Sequence, residues 1–370
     1  MKKILIIYEP QTHIELISRL LDNMKSEGLH IDAFNLRYQF FHSKRKMPLL
    51  VRLLSSIPKN RTTIFILRNL CYKLILKAVQ KDYDVLDIHF FSRPYVRFLK
   101  AYKKPYKLTI WGSDFYRENF LWNEKKRVVY KAASVIQVET ITVKKDLIKY
   151  ESSLSNKIMV CNFGVDILDE IEKNKNSKYI NKLIPNKKNQ IVVTCGYNGG
   201  IAQQHIKILD QLNKLDAEIK GKLFLCIPAT YGLSSSYAEE IENVLKSMAI
   251  DYCIIKNRLS EHEIAKLRLE TDVVINMQTS DSLSSSLLEH LFAGNVLLLG
   301  EWLPTDTYNN YDIYYHTVNE DNLTKKMSYV VQNLSAEKER SQGNYEKIKS
   351  FATWSSVNAR QFEIYKNLTV

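Results

Sequence analysis

The chain has 370 residues, 45% of them hydrophobic, and carries 53 Lys and Arg against 40 Asp and Glu, a formal charge of +13. That length exceeds one ordinary core and suits two domains of roughly 150 to 200 residues, while no apolar run approaches the roughly 20 residues of a membrane-crossing helix. Five scattered cysteines (Cys71, Cys161, Cys195, Cys226, Cys253) with no Cys-x-x-Cys pair suggest neither disulfides nor a zinc site, so the expected compartment is reduced and cytoplasmic.

In chain order, residues 4 to 8 are a predicted strand, since Glu9 ends an apolar run too short for a signal peptide. A helix over 12 to 27 places Ile14, Ile17, Leu20 and Leu21 on one side, and a strand over 30 to 34 follows. Residues 37 to 81 then hold eleven basic side chains and no acidic one, interleaved with aromatic and aliphatic residues. Such a mixture suits an interfacial segment on anionic lipid, with Lys44, Arg45, Lys46 and Arg52 as membrane or acceptor contacts. A pair of amphipathic helices with a solvated basic face, or a nucleic-acid contact, fits the same run. The charge is lopsided throughout: residues 1 to 165 carry 30 basic against 14 acidic side chains, and the remainder 23 against 26.

Residues 85 to 90, 106 to 110, 134 to 138 and 158 to 161 read as further buried strands. Residues 167 to 189, rich in Asn and Lys and containing Pro185, read as a linker. A second series follows, with strands at 190 to 195, 223 to 227, 252 to 255, 273 to 276 and 296 to 299, and helices near 202 to 214, 235 to 248, 261 to 269 and 284 to 293. Strands alternating with helices predict parallel sheets with crossover connections. The fold class is therefore α/β: a doubly wound domain over 1 to 166, a linker over 167 to 189, a second such domain over 190 to 343, and a C-terminal helix over 344 to 370 packing back toward the first. Two Rossmann-like domains of this kind bind ligands at the carboxyl ends of their strands, in the cleft where they face each other.

Several residue groups fall on those edges. Trp111-Gly-Ser-Asp114 follows a strand directly; Trp111 offers a face to a sugar ring or an apolar chain, and Asp114 either orients a hydroxyl, acts as a base, or caps the next helix. His89 either lines the cleft or is a satisfied core histidine. Asp82-Tyr83-Asp84 has the Asp-x-Asp form of some metal sites but precedes a strand, at the opposite edge, and no metal ligands are expected. Gly196-Tyr-Asn-Gly-Gly200 forms a glycine-rich strand-to-helix turn, making Gly196, Asn198 and Gly199 candidate ligand contacts. Arg258 follows a strand and is either a contact to a nucleotide base or a surface charge. The segment 279 to 294 is the most telling: Ser284, Ser285, Ser286 and Leu287 open a helix whose free amides suit an anion, Glu289 lies one turn inside, and Asp281 stands eight positions before it. An ordinary capped amphipathic helix has the same pattern.

Asp281 through Glu289 with Ala293-Gly294 resembles the Glu-x7-Glu motif of glycosyltransferase family 4, with Asp in place of the first Glu. Asn162-Phe-Gly-Val-Asp166 resembles that family's Asn-Gly-Val-Asp with Phe163 inserted, and Trp111-Gly-Ser-Asp114 stands where many members have His-Gly-x-Asp. Trp111 to Tyr116 and Gly196 to Ile206 look instead like stretches of the 4-acetamidofucosyl transferases of lipid-linked enterobacterial common antigen synthesis. The two families differ in stereochemistry, one retaining and one inverting. The resemblance implies the GT-B fold and a glycosyltransferase that moves a sugar from a nucleoside diphosphate to a saccharide acceptor on a polyprenyl diphosphate, in bacterial surface-polysaccharide assembly. It implies Glu289 on the ribose, the amides of Ser284 to Leu287 on the phosphates, Asp281 and Trp111 facing the transferred sugar, and Asp114 activating the acceptor. Tyr197, Gln203 and Gln204 replace the family's usual Arg and Lys, so phosphate binding would fall to those amides, Lys207 or Arg258. Expected partners are the nucleotide sugar, the lipid-linked acceptor and the anionic inner face of the cytoplasmic membrane, with no nucleic acid and no metal cofactor. A nucleotide-sugar 2-epimerase on the same scaffold, or a basic nucleic-acid or membrane-binding protein without catalysis, are the alternatives.

Overall fold

The computed structural model describes residues 2–8, 14–24, 29–35, 40–41, 82–91, 93–100, 102–116, 120–175, 184, 189–281 and 283–368. Lys44, Arg45, Lys46 and Arg52, and with them most of the basic segment, lie outside the described residues. The chain divides into two compact units, Met1–Phe163 with Trp354–Val370, and Gly164–Thr353. Among the described residues no helix is long and apolar enough to cross a membrane.

The first unit is built on strands β1 (Lys3–Tyr8), β2 (His30–Asn35), β3 (Phe40–Phe41), β4 (Val85–His89), β5 (Tyr106–Ile110), β6 (Val135–Val138) and β7 (Ile158–Val160). They pair in the order β3-β2-β1-β4-β5-β6-β7, parallel except for β2 with β3. Side chains alternate across a strand, and β4 and β5 use both faces differently. Leu86, Ile88, Leu108 and Ile110 join the apolar core, whereas Asp87, His89, Lys107 and Thr109 are equally buried but polar. Buried charges persist only when paired. Asp87 accepts from Lys107 Nζ at 2.6 Å, Thr109 Oγ1 at 3.0 Å and the Tyr365 hydroxyl at 2.6 Å, and Lys107 also donates to Gln361 Oε1 at 3.3 Å. Tyr365 and Gln361 belong to the helix Trp354–Asn367, which is thereby fastened to this sheet. Burial alone would raise the Asp87 carboxyl; Lys107 and His89 override it and hold it well below the usual carboxylate range.

The second unit carries β8 (Ile191–Cys195), β9 (Leu223–Pro228), β10 (Asp251–Ile255), β11 (Val273–Asn276), β12 (Val296–Gly300) and β13 (His316–Val318), all parallel, in the order β10-β9-β8-β11-β12-β13. Two sequence expectations change here. The segment read as a linker opens with a helix, Ile167–Lys175, whose Ile167, Leu168 and Ile171 are buried among residues such as Leu287, Leu291 and Phe292. The single C-terminal helix is two: Asn344–Ala352 belongs to the second unit, Thr353 breaks the helix in extended conformation, and Trp354–Asn367 belongs to the first. In each sheet the strand order reverses once, between β1 and β4 and between β8 and β11. Open α/β sheets bind ligands outside the carboxyl ends of the strands at such points.

Candidate functional site

At the reversal point of the second sheet, the loop after β8 meets the loop after β11. Gly196 donates its amide to the Ile275 carbonyl at 2.9 Å and has a φ of +67°, a backbone conformation that glycine adopts freely. A Cβ there would stand 2.8 Å from Gln203 Oε1 and 3.0 Å from His205 Nε2. Tyr197 donates its amide to Gln203 Oε1 at 3.1 Å and its hydroxyl to Asp281 Oδ2 at 3.2 Å, which brings the aspartate to this turn. The Gly199 and Gly200 amides are already used, by the Tyr231 carbonyl at 2.8 Å and by Asn198 Oδ1 at 2.8 Å. Gly199 is glycine because Leu233 fills the space beside it: an added Cβ would sit 2.5 Å from Leu233 Cβ. Asn198 and Gly199 thus have a part in shaping the loop.

The loop after β11 leads into the helix Ser285–Phe292, held down by buried Leu287, Leu288, Leu291 and Phe292. Ser284 starts the helix, and its side chain makes no capping hydrogen bond. The Leu287 amide donates to Ser284 O at 3.1 Å, so among the described residues the expected anion donors left without a partner are the amides of Ser284, Ser285 and Ser286. Glu289 is buried, and the sequence reading missed its partner, Arg268, on the helix Glu261–Glu270. Arg268 Nε and Nη2 donate to Glu289 Oε2 at 3.0 and 2.9 Å, and Nη2 also reaches Ser286 Oγ at 2.8 Å. Its Nη1 meets His290 Nε2 at 3.0 Å, and His290 Nδ1 meets Asn295 Nδ2 at 2.7 Å. Among the described residues every hydrogen bond to Glu289 goes through Oε2. Burial pushes the Glu289 carboxyl up, and Asp166 adds to this while Arg268 pulls against it. Asp166, from the Asn162-to-Asp166 motif, therefore lies within electrostatic reach of Glu289. A basic residue between Leu267 and Leu269 on a mostly polar helix is the one signal that marks Arg268 in the sequence.

The other expected cations do not gather here. Arg258 is exposed beyond β10, the outermost strand, with β9 and β8 between it and β11. Lys207 is exposed and pairs with Glu320.

On the first unit, Asp114 is buried, and both its oxygens are occupied: Oδ1 accepts the Trp111 amide at 3.0 Å and Oδ2 the Phe91 amide at 2.9 Å. It ties the ends of β4 and β5 together, which gives the expected base a bracing role as well. Burial pushes its carboxyl up to about 6, against those two amides and Lys126. Trp111 stacks on Phe163 with centroids 4.5 Å apart and planes 7° from parallel, and His89 lies 5.9 Å from Trp111 and 5.6 Å from Phe163. His89 is fully buried, with Nε2 3.2 Å from Asp87 Oδ2. Glu139, which the sequence reading did not single out, stands just past β6.

No protein-family model matches the sequence, and no curated protein matches it either. In fold the chain is similar to a glycosyltransferase from Rickettsia africae, with a TM-score of 0.74 and 15% identity over 99% of this chain and 98% of that one. It is similar to HepE from Anabaena in complex with UDP, with a TM-score of 0.67 and 13% identity over 100% of both chains. It is also similar to MnaA of S. aureus in complex with UDP, with a TM-score of 0.61 and 13% identity over 100% of this chain and 98% of that one. Two doubly wound units matched end to end by such structures give the chain the GT-B fold.

Proposed function

We propose that the chain is a glycosyltransferase that moves a sugar from a nucleoside diphosphate to a saccharide acceptor. The acceptor would be carried on a polyprenyl diphosphate at the cytoplasmic face of the membrane, for a bacterial surface polysaccharide. The observation that carries this reading is the Arg268–Glu289 pair beside a helix start with free amides. Arg268 fixes one carboxylate oxygen, which leaves Oε1 to accept from the vicinal hydroxyls of a ribose. The Ser285 and Ser286 amides, at the positive end of the helix, suit the diphosphate both in the bound donor and as it leaves, without a metal. Asp281, held by Tyr197 two loops away, suits a hydroxyl of the transferred sugar. The lipid-linked acceptor is supported by the basic excess of residues 1 to 165, since such a substrate stays at an anionic surface.

The test is a thermal-shift screen against UDP, GDP, dTDP and CMP and their common sugars, with EDTA present. UDP comes first, because HepE and MnaA were solved with it. Selective stabilisation by one diphosphate family is expected, about 2.7 kcal/mol at a hundredfold excess over Kd. A silent panel, with stabilisation by anionic vesicles or oligonucleotides instead, sinks the transferase reading in favour of a binding protein.

A further inference from the structure

We propose that Glu139 is the proton acceptor of the transfer reaction, at a polar edge of the first sheet that it shares with His89 and Asn162. The inference rests on the transferase reading above. Strands β4, β5, β6 and β7 are consecutive neighbours, with His89 paired to Thr109, Ile110 to Val138 and Val138 to Val160. The chain therefore leaves all four strands along one carboxyl edge, at His89, Trp111, Glu139 and Asn162 in turn. Two of these residues are conspicuously unsatisfied. His89 Nδ1 and both amide atoms of Asn162 are buried without a hydrogen-bond partner among the described residues. Native interiors leave few such groups unpaired, and clusters of them call for an explanation. The stacked rings of Trp111 and Phe163 lie beside His89, so the edge combines an apolar face with unused donors and acceptors. That combination suits a sugar, which presents both.

Within this edge Asp114 already accepts two backbone amides and is buried. Glu139 makes no hydrogen bond or ion pair among the described residues and is only partly buried, so its carboxylate is open to a substrate hydroxyl. Its environment also holds a proton well: burial, and then the charge of Asp114, push its carboxyl up to about 7, close to the working pH of a general base. In the reaction, the acceptor hydroxyl oxygen forms a bond to the anomeric carbon and its proton passes to the Glu139 carboxylate. The bond from the anomeric carbon to the diphosphate breaks, and its electron pair leaves with the nucleoside diphosphate. A single displacement of this kind inverts the anomeric configuration.

The experiment measures nucleoside diphosphate release from UDP-glucose, UDP-N-acetylglucosamine, GDP-mannose and dTDP-glucose. Octyl glucoside and octyl N-acetylglucosaminide serve as acceptors, and water is the fallback, since hydrolysis needs the same proton transfer. Glu139→Gln should lower kcat by about 10²–10⁴-fold while leaving nucleoside diphosphate affinity unchanged. Glu139→Asp should keep part of the rate, and melting curves of both variants separate lost chemistry from lost fold. NMR of the product should show the inverted anomer. A Glu139→Gln variant within about threefold of the wild-type kcat, or a product of retained configuration, overturns the assignment. So does a wild-type protein that binds a donor yet never releases its nucleoside diphosphate. A wild type that neither binds nor turns over any donor overturns the transferase reading itself, and Glu139 with it.

Discussion

At the scale of single residues, two partly or wholly buried carboxylates within electrostatic reach work against the fold at neutral pH. Glu139 is raised to about 7 by burial and by Asp114, and Asp114 is raised to about 6 by burial. The counter-charge from the neighbouring helix Phe120–Ala132 is Lys126, whose ammonium group donates to the Asp114 carbonyl at 2.7 Å. Because the folded values lie above the ordinary carboxylate range, the native state binds more protons than the unfolded chain between about pH 4 and 7. The stability of this region is thus greatest below that window and declines as pH rises through it. Glu139→Gln removes the titrating group while keeping its shape. Its stability relative to wild type should therefore rise by about 1 to 3 kcal/mol between pH 5 and pH 8, after discounting for partial exposure. Urea denaturation at the two pH values checks this, and an equal difference at both would show that Glu139 carries no such strain. A residue held against stability at the proposed acceptor edge is what a trade of stability for activity produces.

At the scale of elements, the loop after β8 shows how tightly the second unit is built around its turn. Gly199→Ala puts a methyl group 2.5 Å from Leu233 Cβ and 3.0 Å from its Cα, so backbone has to move. Overpacking of this kind costs about 1 to 3 kcal/mol, which lowers the Tm of a unit this size by several degrees. Calorimetry reads it directly, and an unchanged Tm would mean that the Leu233 loop yields freely. The elements themselves were unevenly legible. Strands such as Leu223–Pro228 and Val273–Asn276 stand out because short apolar runs bounded by polar turns have few other fates. The helix Ile167–Lys175 was hidden by its charged and Asn-rich composition, although Ile167, Leu168 and Ile171 carry the helical spacing, and β13 is only three residues long. The candidate site divides in the same way. Gly196, Ser284 to Ser286 and Glu289 announce themselves by local pattern. Arg268 is 21 positions from Glu289, and Glu139 owes its raised carboxyl to burial and then to the charge of Asp114, so neither could be read from local spacing.

At the scale of the whole molecule, the first unit is assembled from both ends of the chain, and the second is one continuous stretch. Helix Trp354–Asn367 contributes Trp354, Ile364 and Tyr365, with Leu368 just beyond it, to the cluster that buries Ile4, Ile6, Tyr8 and Ile17. It also supplies the hydroxyl and amide groups that satisfy Asp87 and Lys107. Removing residues 354 to 370 would uncover that apolar face and strip the Asp87 carboxylate of one of its close donors. Losing a hydrogen bond to a buried charge costs about 1.5 to 3 kcal/mol even before the apolar loss is counted, a large share of a typical domain's stability. A chain lacking 354 to 370 should therefore lose the cooperative unfolding of its first unit and keep that of the second. The stretch 164 to 353 expressed alone should fold and, on the donor-site assignment made above, still bind a nucleoside diphosphate. Calorimetry of the two truncations beside the full chain, with the stabilising nucleotide present and absent, distinguishes the cases. If the chain without 354 to 370 melts as the full chain does, the C-terminal helix is an accessory to the first unit. If 164 to 353 folds but ignores the nucleotide, the groups around Glu289 are insufficient for binding and the donor-site assignment fails.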